Sequence, residues 1–422
     1  MNFYKLNLQL FAEVVTNYTG DNTQSAGMSP EMKTYYEMKL LDNAEPLLIH
    51  DQFGEKKPIP EGKGKTIEFR RIASLPKALN RLMEGVTPEK SNMSVTSIQV
   101  TIDQYGDWIQ SSDLLELTTI DPILDERTKV LGSQAGRTLD TVTREVINGG
   151  TNVIFADHKK SDGSVTRVNA TEKLQKGCNL TFDTIFRAAA QLKAQNAPKF
   201  GNKYVAIIHP YAAYDIMSSD KWIDVNKYSH TEQIYEGEIG SIAGVRFVET
   251  SEAKVFLPGE IAKGARRMIV KTAVSASTTS VVVNGEYTND LGASSSNPIP
   301  VYVNGAANTV VGIAKGSGST TLTLGTAVTS LAANAVICGV GGSKTGEAVF
   351  STLVLGQGAY AVTELSGGGL QHIVKQLGYG DDPINQRSSS GWKATKAALI
   401  LNDQYMVRIE SVNDYSQLID EN

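Results

Sequence analysis

Cysteine is scarce. Cys178 and Cys338 are the only two thiols in 422 residues, and they lie far apart in the chain. Two thiols so placed make no disulfide framework, and the plain reading is synthesis in a reducing compartment. Long apolar runs are missing too: no stretch approaches the ~20 residues that a membrane-spanning helix needs. The opening "MNFYKLNLQLFAEVV" carries one early cation, Lys5, and its apolar run is broken by Gln9 and ended by Glu13. That is not the pattern of a secretory signal. A basic excess is absent as well. Forty lysines and arginines face 45 acids, for a formal net charge of -5. Proteins that wrap nucleic acid carry the opposite balance, so any contact with DNA is expected to be weak and non-specific.

The chemistry-bearing patterns are also thin. The five histidines, His50, His158, His209, His230 and His372, are scattered without the spacing of a zinc site. His209 before Pro210 reads as a turn residue at a strand end. The segment "CGVGGSKTG" (338–346) resembles a phosphate-binding loop, but Ser343, not glycine, precedes Lys344, and a β-pattern follows where a helix should open. "GSIAG" (240–244) has its serine in the wrong place for a nucleophile elbow. Asp381 and Asp382 sit in a loop where turn chemistry accounts for them. No catalytic, cofactor or metal site is expected, and the reading is of a protein that is not an enzyme.

What is present is order. Residues 41% hydrophobic and 20% charged make a globular chain long enough for two or three cores. A polar start leads to a helix from about Ser29, with Pro30 in its first turn. "GKTIEFRRI" and "SVTSIQVTI" alternate as strands around a turn-rich stretch holding Pro76, Gly85 and Pro88. This long hairpin carries Lys63, Lys65, Arg70, Arg71, Lys77, Arg81 and Glu84. It reads either as a solvated hairpin or as an arm lying on a neighbouring subunit, and its length favours the arm.

The clearest helix covers 121–148. Asp121 caps it, Pro122 takes the first position and Gly149-Gly150 stops it. Ile123, Val130 or Leu131, Ala135, Leu139, Val142 and Val146 form its apolar face. Gly132 and Gly136 point to close packing or a bend. An α/β region follows, with the helix "TFDTIFRAAAQLKAQNAP" (181–198) capped by Thr181, the buried strand "KYVAIIHP" and the strand Val245–Glu249. From Thr272 to Ser343 the only charges are Glu286, Asp290 and Lys315. Short strands separated by Asn-Gly turns make this an inserted all-β, sandwich-like module, with "GGSKTG" as a flexible return linker. The chain ends in β-structure, including a hairpin expected to turn at Asn402-Asp403.

This order resembles the major capsid proteins of tailed phages, which share the Hong Kong 97 type fold. Five segments resemble the N-four-like phage major capsid family: "LNLQLFAEVVTNYTG", "DPILDERTKVLGSQAGRTLDTVTREVINGG", "YVAIIHPYAAYDI", "EGEIGSIAGVRFVET" and "SSGWKATKAALILNDQYMVRIES". The resemblance implies an α+β fold divided into an N-terminal arm (1–50), an extended loop (51–112), a peripheral domain with a spine helix (113–150), an axial domain (151–257), the insert (258–345), an axial return (346–370) and peripheral strands (371–422). It implies hexamers and pentamers of this chain in an icosahedral shell around double-stranded DNA, with inter-subunit contacts along the seven hairpin residues above. It also implies a place in the virion, synthesis in the host bacterial cytoplasm, and portal, scaffold or decoration proteins as further partners, with no membrane. The competing reading is a carbohydrate-binding surface or tail adhesin that uses the β-module.

Overall fold

The computed structural model describes residues 38–413, except 41–42, 45–47, 61, 73–74, 76, 80, 82–83, 86, 88–89, 115–122, 161, 220–239, 376–383 and 385. Most of the expected N-terminal arm, the start of the helix at Ser29, the Asp121–Pro122 cap, His230 and Asp381–Asp382 lie outside the described residues. The chain forms two compact units: Met1–Ile147 with Tyr360–Leu401, and Asn148–Ala359 with Asn402–Asn422.

The first unit opens with β1 (Glu55–Lys56), the hairpin β2 (Thr66–Ile72) and β3 (Val95–Thr101), β4 (Asp103–Ser112) and helix α1 (Ile123–Asn148). The second begins with β5 (Val153–Phe155), the ribbon β6 (His158–Lys159) and β7 (Val165–Thr166), α2 (Phe182–Ala194), β8 (Tyr204–Ile208) and α3 (Pro210–Met217). Strands β9 (Ser241–Ile242), β10 (Val245–Glu249) and β11 (Val255–Phe256) follow. Next come β12 (Arg267–Ile269), β13 (Thr278–Asn284), β14 (Ile299–Val303), β15 (Ala306–Gly316), β16 (Ser319–Val328) and β17 (Val336–Gly339). After β18 (Val349–Leu355), the chain supplies β19 (Tyr360–Thr363), β20 (Gln371–Lys375) and β21 (Arg387–Ile400) to the first unit, and β22 (Met406–Val412) to the second.

In the first unit β21 is the organising strand. It pairs with β4, β19 and β20, and β1 adds in parallel to β19. Leu40, Leu131, Ala135 and Leu139 pack with Trp392 and Ala394 of β21. Of the two alternatives Val130 and Leu131, it is Leu131 that is buried, with Ala135 and Leu139; Val142 and Val146 are half-buried, and Asp140, Thr143 and Arg144 are buried beside the apolar residues. His50 and Asp51, from outside the helix, partner Asp140 and Thr143 and make their burial tolerable. The close packing expected at Gly132 is present: a Cβ there would stand 2.8 Å from the Leu40 carbonyl oxygen.

The second unit is built on a seven-stranded sheet, β5-β22-β18-β8-β10-β9, with β11 also on β18. Every residue of β8 and β18 is buried; β8 is apolar throughout, as a strand covered on both faces requires, while β18 also buries Ser351 and Thr352. Helix α2 covers the sheet through Ile185, Ala188, Ala189 and Leu192. Thr181 caps it, with Thr184 N donating to the hydroxyl at 3.4 Å, and Asp183 complements the dipole of the first turn. His209 caps α3 by accepting the Tyr211 N–H on Nδ1 at 3.2 Å.

The uncharged segment folds as a six-stranded antiparallel sheet in the order β12-β17-β14-β15-β16-β13. Its two edges meet through the Val270↔Val283 bridge, with Lys271 N donating to Val282 O at 2.8 Å. The expected sandwich-like module thus takes the form of one sheet curled into a barrel, its two edges touching at that bridge. Val281, Val283, Val301, Val303, Val310, Leu322, Leu324 and Ile337 fill its interior.

Three local expectations need correction. Strands β21 and β22 form no hairpin. Asn402 caps a 3-10 turn at Asp403–Tyr405, and β22 runs on to pair with β18 over seven residues and with β5. The strand is buried on both faces apart from Arg408, so it suits a central position and not an outer hairpin. Strand β19, expected with the axial return, pairs with β1 and β21. Finally, "GGSKTG" is no loose linker: Ser343 is fully buried and Lys344 N donates to Glu172 O at 2.9 Å.

Candidate assembly interface

The hairpin pairs in continuous register from Thr66↔Thr101 to Ile72↔Val95. Seven residues at ~3.4 Å each make a ribbon of roughly 23 Å. Only its base is rooted. Phe69 is buried with Ala361 and Leu399, and Lys57 Nζ lies 5.2 Å from the centre of its ring. Ile102 packs with Ile59 and Ala397. Farther out, the first unit gives the described residues almost no cover. Leu79 is 82% exposed, and Leu75, Met93 and Val95 are each about half exposed or more. Large apolar side chains gathered on one projection mark an interaction surface.

The seven residues singled out in the sequence are all exposed. Lys63 and Lys65 stand in the turn before β2, Arg70 and Arg71 on β2, and Lys77, Arg81 and Glu84 in the connection to β3. Arg70 Nε lies 3.3 Å from Glu68 Oε1 on the same strand. The structure strings these groups along a ribbon and gathers them at no single point.

A second exposed feature lies on the open face of the β4–β21–β20 layer. Trp108, Gly391 and Ile373 occupy one rung across the three strands. Trp108 is 62% exposed, and a Cβ on Gly391 would come within 2.7 Å of its Cβ. The missing side chain lets the tryptophan occupy that rung.

The segment ahead of β1 is fixed by a buried polar cluster that the sequence reading missed. His50 N donates to Asp140 Oδ1 at 2.7 Å, and His50 Nδ1 lies 2.6 Å from Asp140 Oδ2. The Tyr360 hydroxyl donates to the His50 carbonyl. Asp51 accepts from Thr143 Oγ1 at 2.5 Å and is ion-paired with Lys396. The cluster ties residues 50–51, just ahead of β1, to α1 and β21. Burial lowers the Lys396 ammonium pKa, against the upward pull of Asp51. Burial, with Asp51 and Asp140 nearby, pushes the Tyr360 phenol well above its ordinary range. His50 Nε2 is buried with no hydrogen-bond partner. A signal was present in the sequence: Asp140 interrupts the apolar stripe of α1 between Leu139 and Val142, and Lys396 falls at an inward position of a strand.

Residues 125–288 match the family of phage capsid proteins. No curated protein matches the chain. Among solved structures, the chain is similar to the capsid of cyanophage P-SCSP1u, with 12% identity, 95% of this chain and 94% of that one covered, and a TM-score of 0.51. It is also similar to the capsid of Ralstonia phage GP4, with 12% identity, 94% and 96% covered, and a TM-score of 0.48. For the capsid of cyanophage Pam1 the values are 9%, 94%, 97% and 0.48. At such identities the likeness is one of fold.

Proposed function

We propose that this chain, whose fold is that of phage capsid proteins and whose residues 125–288 match their family, is the major capsid protein of a tailed phage. The observation that carries the reading is a capsid-like fold extending over 95% of the chain, together with that family segment. Hexamers and pentamers of the chain would close an icosahedral shell around double-stranded DNA.

The architecture suits such a role. Shell stability comes from modest contacts repeated by symmetry, so no single strong site is required. The hairpin would lie on a neighbouring subunit, with Lys63, Lys65, Arg70, Arg71, Lys77, Arg81 and Glu84 along the contact and Leu75, Leu79 and Met93 covered by it. The domain reading follows the same frame: an extended loop at 51–112, a spine helix in α1, an axial domain on the seven-stranded sheet and the barrel as its insert. The role is structural and not enzymatic. A net charge of -5 suits a wall that holds packed DNA through weak, non-specific contact. Synthesis would take place in the host cytoplasm, with portal, scaffold or decoration proteins joining there.

Negative-stain electron microscopy of the expressed chain tests the reading. Rings of five or six subunits, tubes or closed shells are expected. Uniform monomeric particles at high concentration would sink it.

A further inference from the structure

We propose that the two chain crossings at the base of the barrel form a lock, which makes the barrel a rigid strut of the second unit and not a tethered appendage. A module joined by two linkers swings by default unless its contacts hold it. Here residues 257–259 on the way in and 339–346 on the way out run side by side. Gly259 N donates to Val340 O at 3.0 Å. A Cβ on Gly339 would collide with the Gly259 carbonyl, and one on Gly342 would stand 3.1 Å from both Phe256 O and Pro258 Cδ. Glycine at these two positions lets the crossings touch backbone to backbone.

A second layer grips the same neck from outside. Lys344 Nζ is 2.8 Å from Glu172 Oε2 and 5.2 Å from the centre of the Tyr302 ring. Tyr302 lies on the barrel wall in β14. Glu172 lies in the turn Thr171–Lys173, which belongs to the host side. The Lys344 ammonium on the outgoing crossing therefore bridges a host carboxylate and the barrel wall. Deeper in, the Ser343 hydroxyl donates to the Leu174 carbonyl. Arg266 Nη1 donates to Pro258 O at 3.2 Å, and Arg267 Nη1 stands 3.6 Å from Glu347 Oε1. The consequence is a barrel whose outer face is carried in one fixed orientation by every copy of the chain, independently of any assembly.

Spin labels test the lock in the full chain. Cys178 and Cys338 are buried, so labels attach at the exposed positions of Ala194→Cys on α2 and Ala333→Cys on the barrel. Dilution with unlabelled chain removes distances between copies. The expected result is a single narrow distance distribution, and a distribution at least about two-fold wider when Glu172→Ala and Lys344→Ala are added. A broad or multimodal distribution in the chain with Glu172 and Lys344 intact would overturn the lock. So would a width that the double substitution leaves unchanged. Both substituted side chains are partly exposed, so the fold is expected to survive their loss.

Discussion

Lys396 on β21 is ion-paired with Asp51, and each keeps less than a sixth of its side-chain surface exposed. Thr143 of α1 holds the other carboxylate oxygen. A helix, a strand and the segment ahead of the hairpin meet on this one pair. Removing one member leaves a buried, uncompensated charge, so Asp51→Ala or Lys396→Ala is expected to cost about 3–5 kcal/mol. The double substitution Asp51→Leu/Lys396→Met is expected to cost clearly less than the sum of the single losses. Urea unfolding of the three variants measures both.

Stability should fall in mild acid through His209. Burial drops its imidazole from 6.5 to about 4, and its Nδ1 must stay unprotonated to accept from Tyr211 N. With the folded value below the unfolded one, the unfolded chain binds more protons between pH 6.5 and 4. The stabilisation is therefore whole above about pH 6.5, declines down to about pH 4 and is level below it. The loss amounts to about 2 kcal/mol after discounting for solvent screening. His372, also lowered by burial, acts in the same direction. A His209→Asn variant, which keeps a capping oxygen, should show a shallower slope between pH 6.5 and 4 in denaturant melts.

Gly132→Ala should destabilise, although alanine is the better helix former by about 1 kcal/mol. The added methyl would stand 2.8 Å from Leu40 O and 3.0 Å from Asn43 Cβ. The crowding is expected to outweigh the propensity and leave a net loss of about 1 kcal/mol or more. An increase in the unfolding midpoint would contradict the close packing seen there.

Leu79→Asp at the exposed end of the hairpin should leave the stability of the isolated chain within about 0.5 kcal/mol, because that side chain is 82% exposed. Assembly should suffer instead. Thermal unfolding and light scattering of the same preparation separate the two effects.

Much of the fold was legible because it is local. Alternation at Ile67, Phe69, Ile98 and Val100 marks the hairpin, and the apolar run "YVAII" marks a central strand. Low charge between Thr272 and Ser343 marks the barrel. The failures are non-local. Nothing near Asn402 says that β22 will leave β21 and pair with β18, since a hairpin turn and a crossover use the same polar residues. The glycines of "CGVGGSKTG" suggest freedom, yet their partners at Leu257–Gly259 turn the same lack of side chains into close contact. His50 and Asp140 stand 90 residues apart, so neither alone announces a buried pair.

Sedimentation velocity across a concentration series shows most directly whether this chain builds a shell. Fast-sedimenting species, hexamers, pentamers or closed particles, are expected to grow with concentration and to be lost in Leu79→Asp. A single slow monomer boundary at every concentration would contradict shell building.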